Sequence, residues 1–394
     1  MNQLFNNTTK KIIIRFLIWI FTFLIYPFPF FLENISFSLR NNIRIFAFLA
    51  ILFIYILNII KNKRISKLFV FFIILILYLV SISAIFRLDL LLSLGTAIIT
   101  ISEFMLYEVF SDTQYKEDFV KTSYLYYLMN CLMIVLFMIF KFELIETVNR
   151  NHYIQYIFPL LILEYYIYLY YNNDLYKIIR FISIVIVVIL SIIAGSVTGN
   201  VVVFIAYIYM YILSRTNFSF KILYNWKLQF IFLCLFFILC VWLADKNPIP
   251  NIISRIFLRT DGFSGRTGII SLARNMIMNN ILFGVGMRNF YDLGLIYFYG
   301  NVHNMFLQYL GYGGIVGLAL LLLNIIYTYI TLDKNCQNKS KPVWIVLFSL
   351  FLMRAMFEEV PLYHYYITVA LLYYLNVSDF DYIYLKSIQN NNKI

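Results

Sequence analysis

Apolar segments of about 20 residues recur along this chain from Ile12 to Val377 with only short polar breaks, and that pattern decides what it can fold into. A stretch of that length crosses the hydrocarbon of a bilayer as a helix. Inside a bilayer only helices and closed barrels give every backbone N–H and C=O a partner. Of the 394 residues, 62% are hydrophobic and 13% are charged, against roughly 25% charged in a soluble domain. That supply of charge cannot clothe a water-facing surface. The hydropathy predicts an all-α polytopic membrane protein of about twelve transmembrane helices, near residues 12–32, 43–60, 68–86, 88–110, 123–142, 154–171, 178–195, 199–214, 228–244, 304–331, 343–357 and 364–378. With no other change of composition, residues 1–394 read as a single membrane domain. Lys10 and Lys11 precede the first segment as they would in a signal peptide. It has no small-residue cleavage site, however, and is read as a retained helix.

Charge in the loops orients this bundle. Lys61, Lys63, Arg64 and Lys67, then Lys116 and Lys121, then Lys177 and Arg180, then Lys221 and Lys227, then Lys334, Lys339 and Lys341 fall in alternate loops, which places those loops and both termini in the cytoplasm. One connection on the other side is long. Residues 245–303 form a large extracytoplasmic loop with Lys246, Arg255, Arg259, Arg266, Arg274 and Arg288 against Asp245, Asp261 and Asp292, a net charge of +3. A connection of that length inside a membrane protein calls for a function, and a basic cluster suits phosphate, pyrophosphate or anionic sugar. The plainer alternative is that these arginines snorkel to lipid headgroups. The spacing predicts interfacial helices over 251–259 and from Ser264, as a cap, toward Asn280. Arg266 in a first turn opposes the helix dipole, which favours a bound anion there.

The four cysteines lack metal-ligand spacing and are read as packing or lipid-facing residues. No phosphate-binding loop, zinc motif or nucleotide-binding glycine fingerprint is present, so ATP-driven chemistry is not expected. Nor is a nucleic-acid partner. The strongest local signal is Gly284-Val285-Gly286, followed by His303-Asn304 and then Gly311-Tyr312-Gly313-Gly314 with Gly317. His303-Asn304, nine residues and Gly314-Ile315-Val316-Gly317 resemble the motif of the O-antigen ligases and the related Wzy-type polysaccharide polymerases. Ser264-Gly265-Arg266 and Phe283-Gly284-Val285-Gly286 resemble the large outer loop of the same superfamily.

That resemblance implies a GT-C-like membrane glycosyltransferase in a bacterial inner membrane, with polyprenyl-pyrophosphate-linked glycan as donor and acceptor and no cofactor or required metal. A chain-length regulator and a flippase are the partners it brings to mind. The function it implies is polymerisation of lipid-linked repeat units into a surface polysaccharide such as O-antigen or capsule. The alternatives are a ligase of the same superfamily and a lipid-linked oligosaccharide flippase, which would string charges along a central pathway rather than gather them on one loop. One departure stands out. Many members carry an arginine in a Ser-Arg-Gly-like turn at the outer end of a central helix, and the turn Gly195-Ser196-Val197-Thr198-Gly199 has none.

Such chemistry needs a base for the acceptor hydroxyl and cations for the departing diphosphate. His303 is the candidate base and Arg266 the candidate diphosphate contact, with Arg255, Arg259, Arg274, Arg288 and Asn304 beside them. Arg354 and Glu358, four apart near an outer helix end, are further candidates for the same cavity or a structural ion pair. His152 and His364 are read as structural, and the glycines at 311–317 serve equally as helix packing. Glu103 and Glu164 are expected to point into the bundle, whereas Glu108 and Arg180, near helix ends, need only snorkel.

Overall fold

A computed structural model of the chain describes residues 12–13, 15–17, 19–21, 37–86, 90–111, 115–140, 156–171, 173–194, 197–212, 225–243, 266–287, 304–337, 340–356, 362–378 and 381–384. Its elements are α1 (Phe37–Asn62), β1 (Arg64–Ser66), α2 (Lys67–Ile85), α3 (Leu90–Phe110), α4 (Lys116–Ile139), α5 (Ile157–Tyr170), α6 (Asp174–Ala194), α7 (Val197–Tyr207), α8 (Trp226–Phe237), α9 (Arg266–Asn279), α10 (Met305–Asn335), α11 (Lys341–Ala355), α12 (Leu362–Asn376) and β2 (Tyr382–Tyr384). α7 and α8 each run on into a π-helical turn, Ile208–Ile212 and Ile238–Trp242. Among the described residues five helices are long and apolar enough to cross a membrane, and three shorter apolar ones accompany them. The chain is a multi-pass helical membrane protein.

Length and burial sort these helices. α5 has 14 residues and α11 and α12 have 15 each, about 21–23 Å at 1.5 Å per residue and short of the ~30 Å hydrocarbon core. They are also the most enclosed: every residue from Ile157 to Ile167 is buried, as is every residue from Tyr365 to Leu375. Helices surrounded by protein need not match the thickness of the lipid. α6, by contrast, leaves Ile178, Phe181, Ile182, Val185, Ile189 and Ile192 exposed along one stripe, as a helix facing lipid does, and buries Ser183, Val187 and Leu190 on the other.

α10 packs on α2, α12 and α11, and α3 packs on α12 and α1. At one end of this group the chain makes a short antiparallel pairing of β1 with β2, Ser66 opposite Tyr382, which the hydropathy did not predict. Glu108 holds that end together. It is buried and accepts hydrogen bonds from the Ser66 N–H at 2.9 Å, Ser66 Oγ at 3.0 Å, Tyr374 OH at 2.9 Å and Tyr55 OH at 3.3 Å, joining α1, β1, α3 and α12. This corrects the expectation that Glu108 merely snorkels: its partners come from helices that close over it.

Arg180 needs the same correction, because it is buried with its guanidinium 4.8 Å from the ring of Tyr168. Glu164 does point into the bundle. It accepts from Ser183 Oγ at 2.8 Å, Tyr211 OH at 2.6 Å and Tyr207 OH at 3.4 Å, tying α5 to α6, α7 and the π turn that follows α7.

Replacing Glu108 by alanine takes the acceptor from four donors on three residues in a dry place, which costs roughly 1–3 kcal/mol or more. Thermal unfolding of detergent-solubilised Glu108→Ala is expected at a clearly lower temperature than wild type. Glu108→Gln, which keeps an acceptor, should fall between them. Equal midpoints for all three would show that this carboxylate holds nothing.

Candidate functional site

The opposite end of the bundle carries the glycine-rich signal. α9 spans Arg266–Asn279, the helix expected after Ser264. It buries Ile270, Ala273 and Ile277, at i, i+3 and i+7, and packs on α10 and on the π turn that follows α8. Between them Arg274 donates from Nη1 to the carbonyl of Trp242 at 2.7 Å, so this arginine docks α9 against the end of the π turn. The side chain of Arg266 lies outside the described residues.

After Asn279 the chain turns and runs back along α10, where the helix is broken. Gly314 has φ 62° and ψ −159°, a conformation essentially confined to glycine. A break there takes the carbonyls of Gly311 and Tyr312 and the N–H groups of Ile315 and Val316 out of their i→i+4 bonds. Residues 281–286 replace all four. Val285 N–H donates to Gly311 O at 2.9 Å and Gly286 N–H to Tyr312 O at 3.0 Å, while Ile281 O and Leu282 O accept from Ile315 N–H at 2.8 Å and Val316 N–H at 3.4 Å. The carbonyl of Gly313 accepts from Tyr78 OH of α2 at 2.8 Å. The backbone ledger therefore closes, as it must where water is scarce.

Glycine is required on both sides of this interlock. A Cβ on Gly314 would sit 2.3 Å from Leu282 C and O, and one on Gly284, itself at φ 71°, would sit 2.5 Å from Gly314 N. Gly314 lies nine residues into α10, about 14 Å along its axis, so the inserted segment runs well down the side of the helix.

Asn304 anchors the start of α10. Its Oδ1 accepts from the Leu307 N–H at 2.9 Å as the N-cap, and its Nδ2 donates 2.6 Å to the carbonyl of Met356, at the end of α11. One and two turns further, Gln308 donates to Tyr312 OH at 2.6 Å, and Tyr309 OH donates to Tyr366 OH of α12 at 2.7 Å. Arg354, in the last turn of α11, is 1% exposed with its guanidinium 5.9 Å from the ring of Phe158.

Of the residues singled out from the sequence, Asn304, Arg274 and Arg354 are therefore placed at this end of the bundle. His303, Arg255, Arg259, Arg288, Glu358, His152 and the 251–259 segment lie outside the described residues, as does the side chain of His364. Sequence reasoning passed over Tyr78, Ser83, Gln308 and Tyr312. For Gln308 and Tyr312 the signal was present in their i+4 and i+8 spacing from Asn304. Tyr78, and Ser83, whose Oγ accepts from the Met287 N–H at 3.0 Å, stand more than 200 residues from the glycine motif and carry no local mark.

Residues 182–322 match the sequence-family model described as O-Antigen ligase, a glycosyl-transferring class. The match takes in most of α6, all of α7 to α9, the inserted segment, Asn304 and the break at Gly314, and stops within α10. No curated protein matches the chain.

Proposed function

We propose that the chain is a metal-independent glycosyltransferase of GT-C-like architecture that polymerises polyprenyl-pyrophosphate-linked repeat units into a cell-surface polysaccharide. In this reading the bundle has twelve spans and cytoplasmic termini, sits in the bacterial inner membrane and works from its outer face. The observation that carries the reading is the interlock of residues 281–286 with the break in α10, on the same helix as the Asn304 anchor and inside the matched region. It fixes residues 281–286 against α10, just before the stretch of sequence that carries Arg288 and His303.

His303 takes the proton of an acceptor hydroxyl as that oxygen bonds to the anomeric carbon of the donor. The bond from that carbon to the lipid diphosphate breaks with its electron pair, and Arg266 takes up the charge released. Arg255, Arg259 and Arg288 stand in reserve, because the 195–199 turn supplies no arginine. Asn304, Arg274, Arg354 and Glu358 are assigned to substrate binding. The match to a family described as O-Antigen ligase does not separate this reading from a second one, transfer of finished glycan to a different acceptor.

Purified protein given defined lipid-linked repeat units separates the two. A polymerase makes a ladder from repeat units alone, and a ligase makes product only when a second kind of acceptor is added. Arg266→Lys, which keeps the charge but loses the bidentate fork, is expected to slow the reaction roughly ten-fold or more. Undiminished synthesis by Arg266→Ala at matched protein levels would pass the diphosphate to Arg255, Arg259 or Arg288.

A further inference from the structure

We infer that Gln308 binds the glycan, its side-chain carbonyl oxygen accepting a hydrogen bond from a sugar hydroxyl, an inference that rests on the function proposed above. Gln308 stands on the part of α10 that precedes the break. A Cβ on Gly317 would lie 3.4 Å from the carbonyl oxygen of Tyr309, whereas eight residues of unbroken helix span about 12 Å. α10 therefore bends sharply at Gly314, and residues 305–313 form a half-helix of their own. The half-helix is held at both ends. Asn304 ties its start to the Met356 carbonyl of α11, and the N–H groups of Val285 and Gly286 hold the carbonyls of Gly311 and Tyr312.

Met305, Phe306, Leu307 and Leu310 are buried around Gln308, which is itself 7% exposed. Its amide is used at one end. Nε2 donates to Tyr312 OH at 2.6 Å, one turn further on, and this bond fixes which way the amide faces. Oε1 has no hydrogen-bond partner among the described residues. Polar groups buried in native proteins are nearly always satisfied, and an acceptor left unmade in a dry place is costly. A bound molecule completes it.

The atom selects the chemistry of that molecule. A neutral carbonyl oxygen only accepts, so it disfavours the oxygens of a diphosphate and takes an O–H donor. The glycan of the proposed reaction offers many. A site built to bind a substrate hydroxyl also discriminates against an analogue that lacks it, because the site's own polar group is then left unpaired. Gln308 thereby contributes to the choice of sugar.

The test uses repeat units in which one hydroxyl at a time is replaced by hydrogen. A unit without the attacking hydroxyl serves only as donor, and one without the diphosphate serves only as acceptor, so single transfers probe the two roles separately. Wild type is expected to use one of these analogues, altered at a hydroxyl that does not attack, about ten-fold less well than its parent. Gln308→Leu and Gln308→Met, which remove the oxygen, are expected to use that analogue and its parent equally. The arm in which the penalty falls, donor or acceptor, identifies the glycan that Gln308 holds. Each comparison is a ratio within one protein and is independent of how much of it folds.

Equal use of every analogue by wild type would overturn the inference and leave the Gln308 oxygen to water. The same ten-fold penalty in the Leu and Met variants would overturn it too, by placing the contact elsewhere. Absence of transfer between parent units by wild type would instead refute the proposed function, and the glycan assignment of Gln308 with it.

Discussion

His303→Ala is expected to give a folded, membrane-inserted protein that forms polymer about 10²–10⁴-fold more slowly than wild type, the usual contribution of a positioned base. The expectation follows from what transfer requires. A sugar hydroxyl is a poor nucleophile until its proton is taken, and an imidazole with an unperturbed pKa near 6.5 is suited to take it at neutral pH. His303 immediately precedes Asn304, whose side chain ties the start of α10 to the end of α11. A histidine that only satisfied backbone groups would behave differently. Its loss would reduce the amount of protein in the membrane, and His303→Gln or His303→Asn would restore much of the activity. Polymer formation measured against pH, at matched amounts of folded enzyme, separates these outcomes. Near wild-type turnover in His303→Ala would leave departure of the diphosphate as the assisted step and pass the proton to water or to a carboxylate such as Glu358.

The second large effect is expected at Gly314. An alanine there would press its Cβ to 2.3 Å from the Leu282 carbonyl group and to 2.5 Å from the Phe283 N, at a φ of +62° that side chains rarely adopt. Neither contact is the tip of a flexible side chain, so backbone must move. Expelling residues 281–286 would strand the carbonyls of Gly311 and Tyr312, and each unsatisfied backbone group at membrane depth costs several kcal/mol. Closing α10 into one continuous helix would satisfy those groups but release the inserted segment. Either route undoes the interlock on which the proposed site rests.

Gly314→Ala should therefore be nearly inactive, whether or not it accumulates in membranes, and Gly284→Ala should resemble it. Gly317→Ala is the contrast. Its nearest neighbour would be Tyr309 O at 3.4 Å, an ordinary contact, so abundance and turnover should stay close to wild type. Wild-type levels and turnover in Gly314→Ala would contradict the interlock.

Hydropathy made the helices legible because each apolar run is long enough to name itself. Their ends were less so. α1 begins at Phe37 rather than near residue 43, and α4 begins at Lys116 rather than near residue 123. In α4 the added turn is polar in sequence yet belongs to the helix, since Lys116 donates 2.6 Å to the carbonyl of Leu375 at the end of α12. A hydropathy window discards such turns as loop.

α9 was legible from Ser264 and the spacing of its arginines, and the site itself was only half legible. Glycine clusters announce a close approach of backbones, yet nothing in Gly311-Tyr312-Gly313-Gly314 says that Gly284-Val285-Gly286 is the partner. That pairing is an exchange of backbone hydrogen bonds and leaves no side-chain pattern to read. Glu108 and Arg180 were misread for a related reason. Distance from a helix end suggests access to water, but whether neighbouring helices close over the charge is a tertiary fact.

On the proposed function this chain breaks the bond between a glycan and its lipid diphosphate rather than carrying the intact molecule across the membrane. Release of polyprenyl diphosphate in proteoliposomes loaded with lipid-linked repeat units tests it most directly, with glycosidic bonds counted in the same samples. One polyprenyl diphosphate is expected for each new glycosidic bond, and neither should appear with His303→Ala. Movement of intact lipid-linked repeat units between leaflets with no diphosphate released would contradict the account and identify the chain as a transporter.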